Sequence, residues 1–224
     1  MNSTGDAVAI RVFVADDHAV VRDGLRSLLE AEGDISVVGE AADGHQTVRR
    51  VQELNPDVVI MDIAMPKLNG IEATQQIHET CPSTRVIILS MHATAEHIFR
   101  ALQAGAQGYL VKESAGREVV MGVRAVHSGT RHLSQHISDK VIEDYLYRRQ
   151  TAPTKSPLER LSSREREVLQ LVVEGKSSAE IANLLFLSPK TIETYRSRMM
   201  QKLGVNDLPS LVKFAIHHGL TPLE

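Results

Sequence analysis

Apolar positions in the first half of the chain follow two alternating rhythms. Short β-branched runs recur at Ile10–Ala15, Ile35–Val38, Val58–Met61, Val86–Leu89 and Gly108–Val111. Such short, continuously apolar runs predict strands covered on both faces. Between them the apolar residues move to helical spacing. Val20, Val21, Leu25, Leu28 and Leu29 form one stripe, and Val48, Val51 and Leu54 a second. Ile71, Thr74, Gln75 and His78 continue the period more weakly; Ile98, Ala101, Leu102 and Gly105 follow, then Val119, Val120, Val123 and Val126. Strands alternating with amphipathic helices predict parallel βα units joined by right-handed crossovers. Residues 1–130 therefore read as an α/β doubly wound domain with a five-stranded parallel sheet.

The pattern then changes. Residues 131–149 predict one further helix, with Val141, Ile142, Tyr145 and Leu146 on its stripe. Residues 150–157 are polar and hold Pro153 and Pro157, the signature of a flexible linker. Residues 131–157 thus form a connector. From 158 to 224 only the helical period remains. Ser162 with Glu165, and Ser177 with Glu180, have capping-box spacing. The apolar faces behind them are Val168, Leu171 and Val172, then Ile181, Leu184 and Leu185, with Gly175 as the stop between. Ser188 followed by Pro189 opens a third helix with Ile192, Tyr195, Met199 and Leu203 on one face, and Gly204 closes it. Leu208, Leu211, Val212 and Ala215 begin a fourth. Four short helices make a second, smaller all-α domain with a helix–turn–helix in its middle.

Charge and composition refine this division. The chain of 224 residues has a net charge of −3. Residues 1–130 carry a net −6, residues 131–154 a net +1 and residues 155–224 a net +2, so the two domains predict different partners. The lone cysteine, Cys81, excludes an intramolecular disulfide and a zinc site built on paired cysteines, and suits a reducing compartment. No apolar run approaches the ~18 residues of a membrane span, and Arg11 interrupts the first apolar stretch between Asp6 and Asp16. A cytoplasmic protein with no membrane partner is expected. A chain without tryptophan and only 4% aromatic is poorly suited to stacking single-stranded bases.

Candidate chemistry sits at strand ends. The first strand ends in Asp16 and Asp17 and the third in Asp62. In an open α/β sheet, ligands bind beyond the carboxyl ends of the strands, at the switch point between neighbours. The strand order 2-1-3-4-5 of a flavodoxin-like sheet would bring these three carboxylates together. Clustered carboxylates repel and call for a cation, and hard oxygen ligands suit Mg²⁺. The fourth strand ends in Ser90 and the fifth runs into Lys112. Acids, a hydroxyl and a lysine around one crevice suit a phosphoryl group carried on a carboxylate, because metal and lysine offset charge on the transferring oxygens.

These residues resemble a family. The runs ADDHAVVRDGLRSLL, VVIMDIAMPKLNGIEAT, IILSMHA and ALQAGAQGYLVKES resemble a response-regulator receiver domain, and LSSREREVLQLVVEGKSSAEIANLLFLSPKTIETYRSRMMQKLGV resembles the LuxR-type helix–turn–helix. In this order they resemble the NarL/FixJ class of transcriptional regulators. The resemblance implies that Asp62 is the phosphoacceptor for a sensor histidine kinase. It implies that Asp17 ligates Mg²⁺ directly, Asp16 mainly through water, and Ala64 through its backbone carbonyl. Ser90 and Tyr109 then match the switch pair and Lys112 the phosphate-contacting lysine. On this reading phosphorylation draws Ser90 inward and lets Tyr109 rotate inward behind it. Three positions depart from the common pattern: Glu113 where many receivers have proline, the bulky Met91 after the switch hydroxyl, and the apolar Ala64.

On the second domain, the face of the third helix opposite Ile192, Tyr195, Met199 and Leu203 presents its polar side chains. N-terminal residues of a recognition helix reach base edges in the major groove of double-stranded DNA. Glu193, Thr194 and Ser197 are the base-reading candidates, and Lys190, Thr191, Arg196, Arg198 and Lys202 the phosphate candidates. A mildly basic domain makes few phosphate contacts, so a homodimer in the active state, reading an inverted repeat in a promoter, is expected to supply the affinity. Leu211 and Ala215 are expected to serve the core. By resemblance to DNA-bound dimers of the family, Val212 and Ile216 form the dimer seam. Two other classes remain open on the sequence. An aspartyl-phosphate hydrolase normally places its nucleophile on the first strand with a second aspartate two residues on, whereas the acids here are adjacent. The other is a DNA-binding protein whose receiver serves only as a scaffold.

Overall fold

The computed structural model describes residues 9–91, 94–150 and 157–218. Most of the segment read as a linker, at 151–156, lies outside them. The elements run β1 (Ile10–Ala15), α1 (Ala19–Glu30), β2 (Ile35–Ala41), α2 (Gly44–Leu54), β3 (Val58–Met61), α3 (Gly70–Thr80), β4 (Arg85–Ser90), α4 (Ala95–Gln103), β5 (Gly108–Val111), α5 (Ala115–His127), β6 (His132–Leu133) and α6 (Gln135–Gln150). The remaining helices are α7 (Ser163–Val173), α8 (Ser178–Leu185), α9 (Pro189–Leu203) and α10 (Leu208–His217).

The strands form one parallel sheet in the order β2-β1-β3-β4-β5-β6. Both faces are covered, which is why the strands are apolar at consecutive positions. Phe13, Val59, Met61 and Ile88 face a core shared with Val51, Ile71, Ile77 and Ile98 of α2, α3 and α4. Val12, Val14, Ile60 and Ile87 face the other core, with Leu25 and Leu29 of α1 and Val119 and Val123 of α5. Val20 departs from the predicted stripe and stands exposed.

The sheet has six strands, not five. Residues 131–149 are not a single helix: His132 and Leu133 pair with Gly108 and Tyr109 before α6 begins. The reason is the edge of the sheet. The β5 backbone would otherwise present unpaired groups, and His132 N donates to Gln107 O (3.0 Å) and Ser134 N to Tyr109 O (3.2 Å). Two residues are too few to register as a period in sequence. Along α6, Ile137 is buried and Val141 packs on the core, but Ile142 is exposed. The Tyr145 and Leu146 side chains lie outside what is described.

The helical unit closes on its own core of Leu158, Leu161, Val168, Leu171, Ile181, Leu185, Ile192, Met199, Leu211 and Ala215. Both capping boxes form: Ser162 and Ser177 accept from the amides of Glu165 and Glu180, whose side chains bond back. Ser188 caps α9 and Asp207 caps α10. The turn between α8 and α9 is made by Phe186 in the left-handed region (φ 54°), followed directly by Leu187 and the Ser188 cap. Leu184, expected on the apolar face of α8, is exposed, as is Leu208 at the start of α10.

Candidate functional site

The strand-end acids meet where β1 and β3 lie side by side. Asp16 and Asp62 are only 1% and 3% exposed, and Asp17 is half-buried. Lys112, just beyond β5, reaches across and places Nζ 2.7 Å from Asp16 Oδ2 and 3.1 Å from Asp62 Oδ2. The remaining oxygens have local donors. Ile63 N donates to Asp62 Oδ1 (2.8 Å) and His18 N to Asp16 Oδ1 (2.9 Å). Arg22 Nη1 donates to the Asp16 carbonyl (2.7 Å) and holds the loop between β1 and α1.

Burial pushes the Asp62 carboxyl above its usual range, and the Asp16 and Asp17 charges push it further, while Lys112 draws it back. Burial opposes the charge of Lys112, but Asp62 and Asp16 outweigh it and raise its pKa. The site is thus an under-neutralised acid cluster. One oxygen is left over: Asp17 Oδ1 is buried and has no hydrogen bond, although His18 Nδ1 lies 2.7 Å away. Ligand atoms of Asp16, Asp17, His18 and Asp62 all lie within 4.8 Å of one another. Excess negative charge, hard oxygen donors and an orphaned carboxylate oxygen fit a divalent cation such as Mg²⁺. Ala64, two residues after Asp62, is half-buried.

The loop from Asp62 to Asn69 is closely confined. Gly70 N donates to Ile63 O (2.9 Å), and a Cβ at Gly70 would fall 1.9 Å from the Asp62 carbonyl oxygen. Asn69 then caps α3 by accepting from the amides of Ile71 and Glu72.

Ser90 and Tyr109 are buried and hydrogen-bonded to each other, and burial raises the phenol's pKa. In this structure Tyr109 lies inward: its ring packs in the core with Ile98 of α4, and Ser90 satisfies its hydroxyl. Met91 is exposed beside Ser90.

On α9, Lys190, Glu193, Thr194, Ser197, Arg198 and Lys202 are exposed, and Thr191 and Arg196 half-buried. Several have partners within the unit. Ser178 Oγ donates to Glu193 and accepts from Arg196 Nη1 (3.1 Å), and Lys202 Nζ pairs with Glu165 Oε2 (2.6 Å). Lys190, Thr191, Thr194 and Arg198 line a shallow cleft of about 320 Å³ with Ser188 and Tyr195. On α10, Leu211 and Ala215 are in the core, whereas Val212 and Ile216 are half-buried at its edge.

The helical unit is seated on the sheet unit through groups that local pattern does not disclose. Glu72, buried in α3, accepts from Arg100 Nη2 of α4 (3.0 Å) and from Arg166 Nε of α7 (2.7 Å). Gln170 of α7 bonds the loop after Asp62 at Met65 O and Asn69 N. At the other end, His97 Nε2 lies 2.8 Å from the His218 carbonyl oxygen, and His218 Nδ1 3.1 Å from Glu96 Oε2. One signal was available: Glu72 and Arg100 are charges on otherwise buried helix faces, which implies a partner.

A parallel sheet with acids and lysine at its carboxyl edge, on one chain with a helix–turn–helix, defines the class of two-component response regulators that regulate transcription. Residues 12–124 match the response regulator receiver domain, and residues 159–215 match the bacterial regulatory proteins of the luxR family. The chain belongs to the NarL/FixJ class of response regulators. It is 36% identical over 214 residues to the oxygen regulatory protein NreC of Staphylococcus aureus, covering 94% of this chain and 99% of that one. It resembles a LuxR-family two-component response regulator from Aurantimonas sp. SI85-9A1 (TM-score 0.60, 36% identity, 62% of this chain and 99% of that one). It also resembles the response regulator RcsB in its complex with DNA (TM-score 0.57, 28% identity, 92% and 97%). A receiver domain implies a histidine kinase as partner, and no helix among the described residues is long and apolar enough to cross a membrane.

Proposed function

We propose that Asp62 accepts the phosphoryl group and that its modification controls dimerisation and DNA binding. The observation that carries this is the Lys112 ammonium set between the buried Asp62 and Asp16 carboxylates, with an orphaned Asp17 oxygen alongside. Asp62 Oδ2 attacks the phosphorus of a phosphohistidine on the kinase; a P–O bond forms, the P–N bond breaks and the imidazole leaves. Lys112 neutralises charge on the phosphoryl oxygens, and the amide of Ile63 holds the nucleophile's other oxygen in place. Asp16, Asp17, Asp62 and the Ala64 carbonyl would hold Mg²⁺. When bound, Mg²⁺ supplies the positive charge that phosphoryl oxygens need beside three carboxylates. Ser90 then donates to the new group, and its bond with Tyr109 carries the change to the surface around α4.

In this reading the receiver spans 1–130, the connector 131–157 and the DNA-binding domain 158–224, in a cytoplasmic protein. The α9 helix enters the major groove with Thr194 and Ser197, joined by Glu193, at base edges. Lys190, Thr191, Arg196, Arg198 and Lys202 meet phosphates. Two copies joined through Val212 and Ile216 read an inverted repeat. The test is phosphoryl uptake from a small phosphodonor, with the acylphosphate located by borohydride trapping and mass spectrometry. Wild type labels at Asp62, and Asp62→Asn, nearly isosteric, takes up none while keeping its fold. Uptake at the normal rate by that variant refutes the assignment.

A further inference from the structure

Burial and bonding disagree at Arg100. This α4 side chain is 7% exposed, yet among the described residues its guanidinium bonds only Glu72, from Nη2 to Oε1 (3.0 Å). Its other N–H donors find no acceptor there. Glu72 is itself shared: Arg166 of α7 donates to Oε1 from Nε (2.7 Å) and to Oε2 from Nη2 (3.3 Å). Arg166 is otherwise satisfied by the Leu161 carbonyl and Ser163 Oγ. Two guanidiniums thus stand over one buried carboxylate, and buried charge without a partner is costly. Burial pulls the Arg100 pKa below the guanidinium range; Glu72 and Glu96 oppose the shift without cancelling it, and Arg166 adds to it. Glu96 acts through its field, and its carboxylate meets His218 Nδ1 (3.1 Å).

A cavity of about 460 Å³ opens at this imbalance, within the size range of small-molecule sites. Arg100, Glu72, Arg166 and Gln103 give it a polar wall, and Ile71 and Leu158 an apolar one. Gln75 also borders it, but its amide accepts from Ser163 Oγ (3.2 Å) and donates to Glu79 (3.1 Å), so Arg100 gains no acceptor from it. A guanidinium with donors to spare takes a carboxylate through two parallel N–H···O bonds. The buried charge left over is single, and Glu72 repels a second negative charge, so a monoanion fits best. An inorganic ion would leave the Ile71 and Leu158 wall facing water, so the anion needs an apolar body.

We infer that the cavity between α3, α4 and α7 binds a small organic monocarboxylate, its head on Arg100 and its apolar body against Ile71 and Leu158. The ligand is held without reaction. Arg100 and Ile71 belong to the receiver, and Leu158 and Arg166 to the helical unit, so the ligand touches both. A small carboxylate is thereby an input to the chain besides phosphorylation, and its site stands independently of the role of Asp62.

The test titrates the full chain with sodium benzoate at constant ionic strength and follows the Arg100 Nε–H signal by ¹H–¹⁵N NMR. In wild type the signal shifts saturably, a reading that needs no variant to fold. Benzyl alcohol has the body without the charge, and inorganic phosphate the charge without the body; each binds weaker by about tenfold or more. Gln103→Glu is isosteric and lies on an exposed side chain, so the Arg100–Glu72–Arg166 cluster stays intact. It sets a carboxylate at the cavity wall and weakens benzoate by about tenfold or more. An Arg100 signal indifferent to benzoate in wild type, or unchanged benzoate affinity in Gln103→Glu, overturns the inference. Benzyl alcohol or phosphate binding as tightly as benzoate overturns the assignment to an organic carboxylate.

Discussion

Replacing Lys112 by methionine removes one charge and little volume from the acid site. Asp16 and Asp62 then keep their backbone donors, His18 N and Ile63 N, but lose the ammonium at 2.7 and 3.1 Å. Removing one partner of a buried ion pair costs about 3–5 kcal/mol. The Lys112 side chain is 12% exposed, so water can re-enter, and the low end, about 3 kcal/mol, is expected. For a domain of this size that lowers the receiver's melting temperature by about 10 °C. The loss is pH-dependent with a definite sign. Asp62 already titrates above its ordinary 3.8, and without Lys112 it is raised further. Between the ordinary and the raised value the folded state binds more protons than the unfolded one, so the variant gains stability as pH falls through that window. Mg²⁺ at a hundred times its Kd returns about 2.7 kcal/mol, nearly the whole deficit. Wild type gains less from Mg²⁺, because Lys112 already occupies the field the ion would enter. The assay is differential scanning calorimetry of both proteins in EDTA and in Mg²⁺, from pH 7 downward. Melting within a degree of wild type in EDTA at neutral pH, with an equal Mg²⁺ increment in both, would show that Lys112 does not neutralise these carboxylates.

Three further substitutions test the packing and the seam. Gly70→Ala places a methyl against the Asp62 carbonyl and should cost about 3 kcal/mol together with phosphoryl uptake, whereas Gly24→Ala, with nothing within 4 Å in α1, should raise stability by about 0.5–1 kcal/mol; equal melting shifts in the two variants would contradict this. Val212→Glu should weaken binding to a two-half-site probe by at least tenfold while leaving a single half-site within about twofold, measured by fluorescence anisotropy; equal losses on both probes, in a folded variant, would falsify the seam.

Much of this protein is written in local sequence. Alternating β-branched runs and helical stripes suffice for the doubly wound sheet, because each strand must be apolar on both faces to sit between two helical layers. Ser162, Ser177 and Ser188 mark their helix starts because a capping hydroxyl needs only the amides two or three residues on. That Asp16, Asp17, Asp62 and Lys112 would cluster is legible because strand ends in a parallel sheet all point to one edge. What tertiary structure alone decided lies between elements. The sixth strand is two residues held by a neighbour's unpaired backbone, and no period reveals it. Tyr109 lies inward because Ser90 and the core receive it, which sequence cannot show. The bonds of Glu193 and Arg196 to Ser178, and of Lys202 to Glu165, are likewise invisible in the spacing along α9. The seating of α7 on the receiver rests on Glu72, Arg100, Arg166 and Gln170, whose separation in the chain leaves no trace in spacing. Local pattern records what a residue does for its own helix or strand; these side chains act for a partner that only the folded chain brings within reach.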